Sequence, residues 1–414
     1  MNNNTDYQVI IVGAGMVGAA LAVALGRAGF RVALLDRHAP PVYETGGEYG
    51  LRVSALSMAS RNVLMNLGVW NYIAATRVSP YREMYVWESD DNGGEAGKAD
   101  IHFDCVDVQQ ECLGYIVEND LVQSTLIEQL EGLPDVDTFF AAGLENMEFT
   151  ERCVIAWLSD GRRLAGQLLI GVDGANSRVR QLAGIRAQTH SYRQQGVVAV
   201  VGTELSHRAT AWQRFLPTGP LAFLPLADGR CSIVWSTGEA RANELLSLEE
   251  AAFCKALGEA SEYKLGEIIS PGPRAAFPLQ YLQAGQYTLP RLALAGDAAH
   301  VVHPLAGQGV NLGFRDAAKL VEQLQVAHYR RQDLGAVKHL RRYERSRKAD
   351  NRPMGLALDG LKYLFAAQSI PAVAARRFGL RTVDNFQPLK SFFMRQAMGL
   401  DGELPELAVF PENF

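Results

Sequence analysis

The chain is poor in cysteine, with five among 414 residues. Cys105, Cys112, Cys153, Cys231 and Cys254 are odd in number, scattered and never spaced as C-x-x-C. That pattern indicates neither a disulfide framework nor a thiolate zinc site and fits a reducing cytosol, where such residues serve as small buried apolar groups. An excess of charge of one sign is also missing. Against 45 Asp and Glu stand 40 Lys and Arg, a formal net charge of −5, which offers nucleic acid no electrostatic footprint. Internal repeats, low-complexity tracts and long linkers are absent. One uncharged apolar run, Val9 to Gly26, follows the residues MNNNTDYQ, which carry an acid and no Lys or Arg, and glycines interrupt it. It is therefore read neither as a signal peptide nor as a membrane span.

What remains is the composition of a soluble globular enzyme, 48% hydrophobic and 21% charged, in a chain longer than one core usually organises. Two lobes sharing one active site are expected. Residues 1–36 read as strand (QVIIV), glycine turn (GAGMVG), helix of small residues and strand (RVALLD), a βαβ unit. Two further strand–turn–helix passages follow, LLIGVDGANSRVRQLAG and RLALAGDAAH…GQGVNLGFRDAAKLVEQL. Between them, GVVAVVGTEL, LAFLPL and CSIVWS alternate like half-buried antiparallel strands. The expected fold is α/β: a Rossmann-like nucleotide-binding domain, which the motifs below assign to FAD, with an inserted antiparallel-sheet substrate domain and C-terminal helices. Residues 1–75, 105–184 and 280–345 are assigned to the first, 76–104 and 185–279 to the second, and 346–414 to a helical region.

The first turn places Gly13, Gly15 and Gly18 between strand and helix, with Asp36 eighteen residues beyond Gly18. Gly13 permits the turn, Gly15 lets backbone approach a pyrophosphate at the helix N-terminus, Gly18 allows close packing, and Asp36 suits a ribose diol. Alone this cannot separate FAD from NAD. Gly296 and Asp297 end a buried strand where a sugar-alcohol chain could be gripped. Pro304, Gly307, Gln308, Gly309, Val310 and Asn311 then lead into a helix expected near Val310. That N-terminus would favour the anionic charge of a reduced flavin by roughly 0.3–2 kcal/mol, and two such turns favour FAD. Asp173 and Gly174 form a third turn, where Asn176 or Ser177 can cap a short helix ending at Gly184.

These motifs in this order, G-x-G-x-x-G, D-G-A-N-S-x-V-R and G-D-A-A-H-x-x-x-P-x-x-G-Q-G-x-N, resemble the aromatic-ring flavoprotein hydroxylases of the para-hydroxybenzoate hydroxylase class over nearly the whole chain. LRVSALSMAS, LGYIVEN, GPLAFLPL, HPLAGQGVNLGFRDA and RRYERSRK further resemble the ubiquinone-biosynthesis hydroxylases that act on polyprenylated phenols and benzoquinols. The resemblance implies that Gly13, Gly15, Gly18 and Asp36 hold the ADP part of FAD and Asp297 the ribityl chain. Gly309, Val310 and Asn311 would lie beside the isoalloxazine, and Arg52 would reach the cofactor. Asp173 and Arg180 match a motif tied to both FAD and NADPH. IVEND offers Asn119 where many members carry Arg or Gln near the ribityl chain.

Phe223, Leu224 and Pro225 are read as a strand facing the substrate, although core packing would select the same residues. A metal reading of His300 and His303 is rejected for want of further ligands. No general base is identified, and an electron-rich ring needs little activation. The implied reaction uses NADPH, or NADH, and O2 through a flavin C4a-hydroperoxide to hydroxylate the ring. Alternatives are another flavin-dependent aromatic hydroxylase, a prenyl reductase, or an FAD-bound assembly subunit without turnover; a halogenase lacks its W-x-W-x-I-P signature. A lipophilic quinone precursor implies work in the cytoplasm, at the inner face of the membrane or in a biosynthetic complex, with self-association left open. The basic stretch Arg330 to Arg352 is either a solvated helix face or a surface for anionic lipid.

Overall fold

A computed structural model describes residues 5–88, 99–302, 307–367 and 369–411. The apolar run near the N-terminus becomes a strand, Tyr7–Val12, and a helix, Met16–Arg27. Val9, Ile10 and Ile11 are wholly buried, as befits a strand covered on both faces. Val12 pairs in parallel with Leu35 of Val32–Leu35 on one side and with Gly171 of Arg163–Gly171 on the other. Gly171 in turn pairs in parallel with Leu294 of Leu292–Leu294. Four strands thus end along one edge, and the residues after each end, Gly13, Asp36, Asp173 and Asp297, emerge there. This is the crevice at the carboxyl ends of parallel strands where such sheets bind ligands.

A second sheet of eight strands is built around two 17-residue strands, Ala187–Thr203 and Ile268–Ala284. It continues through Cys231–Gly238, Gly219–Pro225 and Thr210–Leu216, all antiparallel. Thr210–Leu216 then pairs in parallel with Glu83–Glu88, which pairs with Ala99–Asp104. The expected antiparallel sheet is therefore mixed at this one junction, because its last two strands come from a much earlier stretch of chain. One face packs on the helices Glu239–Ser247 and Glu250–Ala260, burying Leu221, Phe223, Ile233, Phe253 and Leu257. The other face covers the crevice.

Between the sheets lies a three-stranded ribbon, Val53–Leu56, Gly114–Glu118 and Val78–Tyr81. Val78–Tyr81 belongs to it rather than to the large sheet, although the sequence groups it with residues 76–104. The chain closes with helices Gln308–Tyr329, Val337–Ala366, Ile370–Asn385 and Gln387–Met398. Among the described residues no helix is long and apolar enough to cross a membrane.

Candidate functional site

The first turn shows why each glycine is there. Gly13 has φ +109°, and a Cβ on it would lie 2.5 Å from the Val172 carbonyl oxygen. A Cβ on Gly18 would lie 1.8 Å from the Gly13 carbonyl oxygen, so the helix could not sit on its own turn. Gly15 differs: a Cβ there would meet nothing within 4 Å. It caps the helix without a side-chain hydrogen bond, and no acid occupies the first turn. Unpaired N–H groups therefore face open space, a cradle suited to a pyrophosphate. Asp36 is aimed by the same turn, its Oδ2 accepting the Ala14 N–H at 2.7 Å and its Oδ1 the His38 N–H at 2.9 Å.

The helix Gln308–Tyr329 repeats this design. It begins after Gly307 (φ +63°) without a side-chain cap or an acid in its first turn, and a Cβ on Gly309 would also meet open space. It starts two residues before the expected Val310. Asn311 does not line the cavity. Its Oδ1 accepts the Ser57 N–H at 2.9 Å and the Ser60 hydroxyl at 2.7 Å, and its Nδ2 donates to the carbonyls of Ala55 at 2.9 Å and Gly307 at 3.2 Å. With its hydrogen-bonding capacity so used, it clamps the small ribbon to the helix start and shapes the site from behind. Pro304 and His303 lie outside the described residues.

Asp297 faces the cavity and accepts no hydrogen bond among the described residues. Solvent reaches it through the cavity, yet surrounding protein desolvates it and raises its pKa, against the pull of His300 and Arg52. Its neighbours are fixed by Asp316 on the following helix. Asp316 Oδ2 accepts the Gly296 N–H at 2.9 Å and lies 2.5 Å from His300 Nε2, while its Oδ1 accepts from Arg347 Nε at 2.6 Å. Burial opposes ionisation of Asp316, but His300 and Arg347 outweigh it and hold the carboxyl well below the usual range. His300 is thus a structural partner of Asp316.

At the third turn Asp173 lines the cavity, but its oxygens are occupied by the Ser177 hydroxyl at 2.5 Å and the N–H groups of Arg178 at 2.6 Å and Val179 at 3.1 Å. Ser177, rather than Asn176, caps the short helix Arg178–Leu182 by accepting the Arg180 N–H. Arg180 turns away from the cavity and donates to the carbonyls of Ala298 at 2.9 Å and Ala175 at 2.7 Å, tying the second and third turns together. Arg52 is exposed to the cavity, its guanidinium 5.5 Å from the Phe277 ring centroid. Asn119 also lines it, accepting the Ser54 hydroxyl at 2.6 Å.

All these elements open into one cavity of about 1370 Å³, larger than the roughly 300–1,000 Å³ of a usual ligand pocket. Its polar end holds the turns. Its other end is apolar, with Met84, Val86, Phe215, Leu380 and Met394 on its walls. On the strand Gly219–Pro225, Pro220, Ala222 and Leu224 face the cavity. Of the expected substrate-facing residues only Leu224 does so. Phe223, 1% exposed, points to the core behind the sheet, since side chains alternate, and Pro225 is buried away from the cavity wall.

Sequence reasoning missed several contributors. Gln123 lines the cavity and donates to the Ala14 carbonyl at 2.8 Å. Glu118, buried at the end of a strand, accepts from Tyr43 at 3.0 Å and the Gly50 N–H at 2.8 Å, pinning the loop before Arg52. A lone acid ending the apolar GYIV was the available signal. Leu364, Phe365, Leu380 and Met394 bring the C-terminal helices in as a third wall.

A family profile described as "FAD binding domain" matches residues 6–352. Over 95% of its length the chain is 37% identical to a Danio rerio protein named "Ubiquinone biosynthesis monooxygenase COQ6, mitochondrial", covering 90% of it. It is 36% identical to "3-demethoxyubiquinol 3-hydroxylase" of Escherichia coli (strain K12), over 96% of this chain and 100% of that one. Among solved structures, p-nitrophenol 4-monooxygenase PnpA from Pseudomonas putida DLL-E4 superposes with a TM-score of 0.75 at 19% identity, covering 96% of this chain and 98% of that one. Klebsiella pneumoniae HpxO, complexed with FAD and uric acid, gives 0.74 at 18% identity, covering 95% and 97%. These two establish the fold.

Proposed function

Because the chain belongs to the FAD-binding family, in the branch that holds ubiquinone-biosynthesis hydroxylases, we propose that it is an FAD-dependent monooxygenase hydroxylating the ring of a polyprenylated phenol or benzoquinol, with NAD(P)H and O2. The observation that carries this reading is the cavity, in which two uncapped helix N-termini and the carboxylates of Asp36 and Asp297 at one end run into a largely apolar chamber at the other.

The N-terminus at Gly15 would hold the pyrophosphate, Asp36 the adenosine ribose and Asp297 the ribityl hydroxyls. The N–H groups of Gly309 and Val310 would face the pyrimidine edge of the ring system, where their partial positive charge stabilises an anion. Held there, FAD would supply the redox chemistry, reduction by NAD(P)H and activation of O2. Arg52 would add a positive charge at the junction of the two ends. The large sheet and the C-terminal helices would shield the reacting ring from water and accommodate the apolar tail once the chamber is filled. The finer setting, a peripheral place on a membrane or in a biosynthetic complex, follows from the lipophilic substrate class.

Holoprotein should show the yellow of bound flavin, oxidise NAD(P)H faster when a prenylated phenol is present, and incorporate label from O2 into the ring. Product lacking label would point to a reductase. Flavin binding without substrate-stimulated NAD(P)H oxidation would point to an assembly subunit.

A further inference from the structure

Among the described residues, the chamber wall carries a side-chain amide, that of Gln213, with no hydrogen-bond partner in the protein. On the strand Thr210–Leu216 the side chains of Ala211, Gln213 and Phe215 face the cavity. Gln213 is only 7% exposed, and its amide makes no hydrogen bond among the described residues. The residues paired with it across the sheet are Ala222 on one side and Val86 on the other, so neither cross-strand neighbour offers it a polar side chain. The amide opens on to the cavity, so its donor and acceptor are available to whatever fills that space. In a chamber that takes a ligand, such an amide is placed to bond to that ligand.

The position of the amide assigns it to the ring rather than to the tail or the dinucleotide. Phe215, the next residue on this face, packs against Val302 and Leu312, and Leu312 lies on the helix that begins at Gln308. Leu224, in the neighbouring strand, packs against the same buried cluster as Ala55, and Ala55 lies where a Cβ on Gly307 would touch it. Gln213 therefore shares its cavity face with Phe215, whose ring meets the second helix, whereas the Gly13 turn belongs to the other sheet. A neutral amide both donates and accepts, which matches a ring hydroxyl.

We propose that Gln213 recognises a hydroxyl on the substrate ring, so that it sets which rings the chamber accepts and how they lie. This rests on the hydroxylase reading above and deepens it. A site built to hydrogen-bond a hydroxyl rejects the analogue that lacks it, because its own polar group is then left unpaired.

The test compares wild-type holoenzyme with Gln213→Met, of similar length and apolar, and Gln213→Asn, which keeps a shortened amide. The probes are a short-chain prenylated phenol and its O-methyl ether. Binding is read from the flavin spectrum, and KM and kcat from NAD(P)H oxidation. Wild type should prefer the phenol, and Gln213→Met should weaken phenol binding by roughly tenfold to a hundredfold while ether binding, FAD content and flavin potential stay as they were. Gln213→Asn should recover part of the preference. Retention of the full preference by Gln213→Met, equal weakening of both probes, or a changed FAD affinity overturns the inference while leaving the hydroxylase reading standing. A wild type that neither binds nor turns over any prenylated phenol sinks that reading, and the inference with it.

Discussion

The glycines of the first turn are not interchangeable, and their substitution separates folding from cofactor binding. In Gly18→Ala the new methyl would meet the Gly13 carbonyl at 1.8 Å, which should destabilise the apoprotein by about 1–3 kcal/mol, as overpacking does. In Gly15→Ala the methyl enters empty space. Urea denaturation of that apoprotein should register less than about 1 kcal/mol, while FAD affinity falls by about tenfold or more. Asp297 offers a contrast in pH. Burial raises its folded pKa, so ionising it costs folding free energy once the pH exceeds the ordinary carboxylate value. Asp297→Asn removes that cost: the apoprotein should be more stable than wild type at neutral pH, the gain should vanish as the pH falls through the carboxylate range, and FAD binding should weaken. Gly13, Gly15, Gly18, Asp36 and Asp297 were legible in the sequence because each acts through the turn on which it sits. Asn311 was legible as a position but not as a clamp, since its partners Ser57 and Ser60 lie some 250 residues away.

At the scale of elements, the basic C-terminal stretch divides in two. Arg347 is 1% exposed and bonded to Asp316, Asp350 and Asn351, whereas Arg341, Arg342 and Arg345 are exposed. Arg347→Met would strand the buried Asp316 carboxylate and should cost about 3–5 kcal/mol in chemical denaturation. Neutralising the three exposed arginines should leave the denaturation midpoint in place and, if this face meets lipid, reduce co-sedimentation with anionic vesicles. Unchanged co-sedimentation would remove the membrane from the proposal. The seal between helix and sheet is testable too: Phe365 stacks on Phe215 with centroids 3.7 Å apart. Phe365→Ala should admit water, so that more NAD(P)H is consumed per hydroxylated product at unchanged FAD content. Strand existence was legible from alternation, but alternation leaves two choices of face, and only the pairing of the sheet decides between them. Hence Leu224 faces the chamber and Phe223 does not, and hence Gln213 was passed over.

For the whole molecule, binding between distant segments links stability to cofactor supply. If FAD binds only the native protein, its melting temperature should rise with FAD concentration, by the equivalent of about 2.7 kcal/mol at a hundredfold excess over Kd. A melting curve indifferent to FAD would contradict the site. The parallel sheet could be foreseen because its strand–turn–helix units are local. The joining of Glu83–Glu88 to Thr210–Leu216, and the use of the last helices as a wall, could not, since neither leaves a periodic trace in the sequence.

The turns at Gly13 and Asp297 are separated by 284 residues (297 − 13), which a ribosome making ~5–20 residues per second needs roughly 15–60 s to span. The Gly13 turn itself is complete only when the strand Arg163–Gly171 arrives beside it, and if Asp297 grips the ribityl chain as proposed, a flavin met before that residue is made has only part of its hold. Firm retention of the cofactor would thus wait on segments made late in synthesis, the Asp297 turn and the helix that follows it.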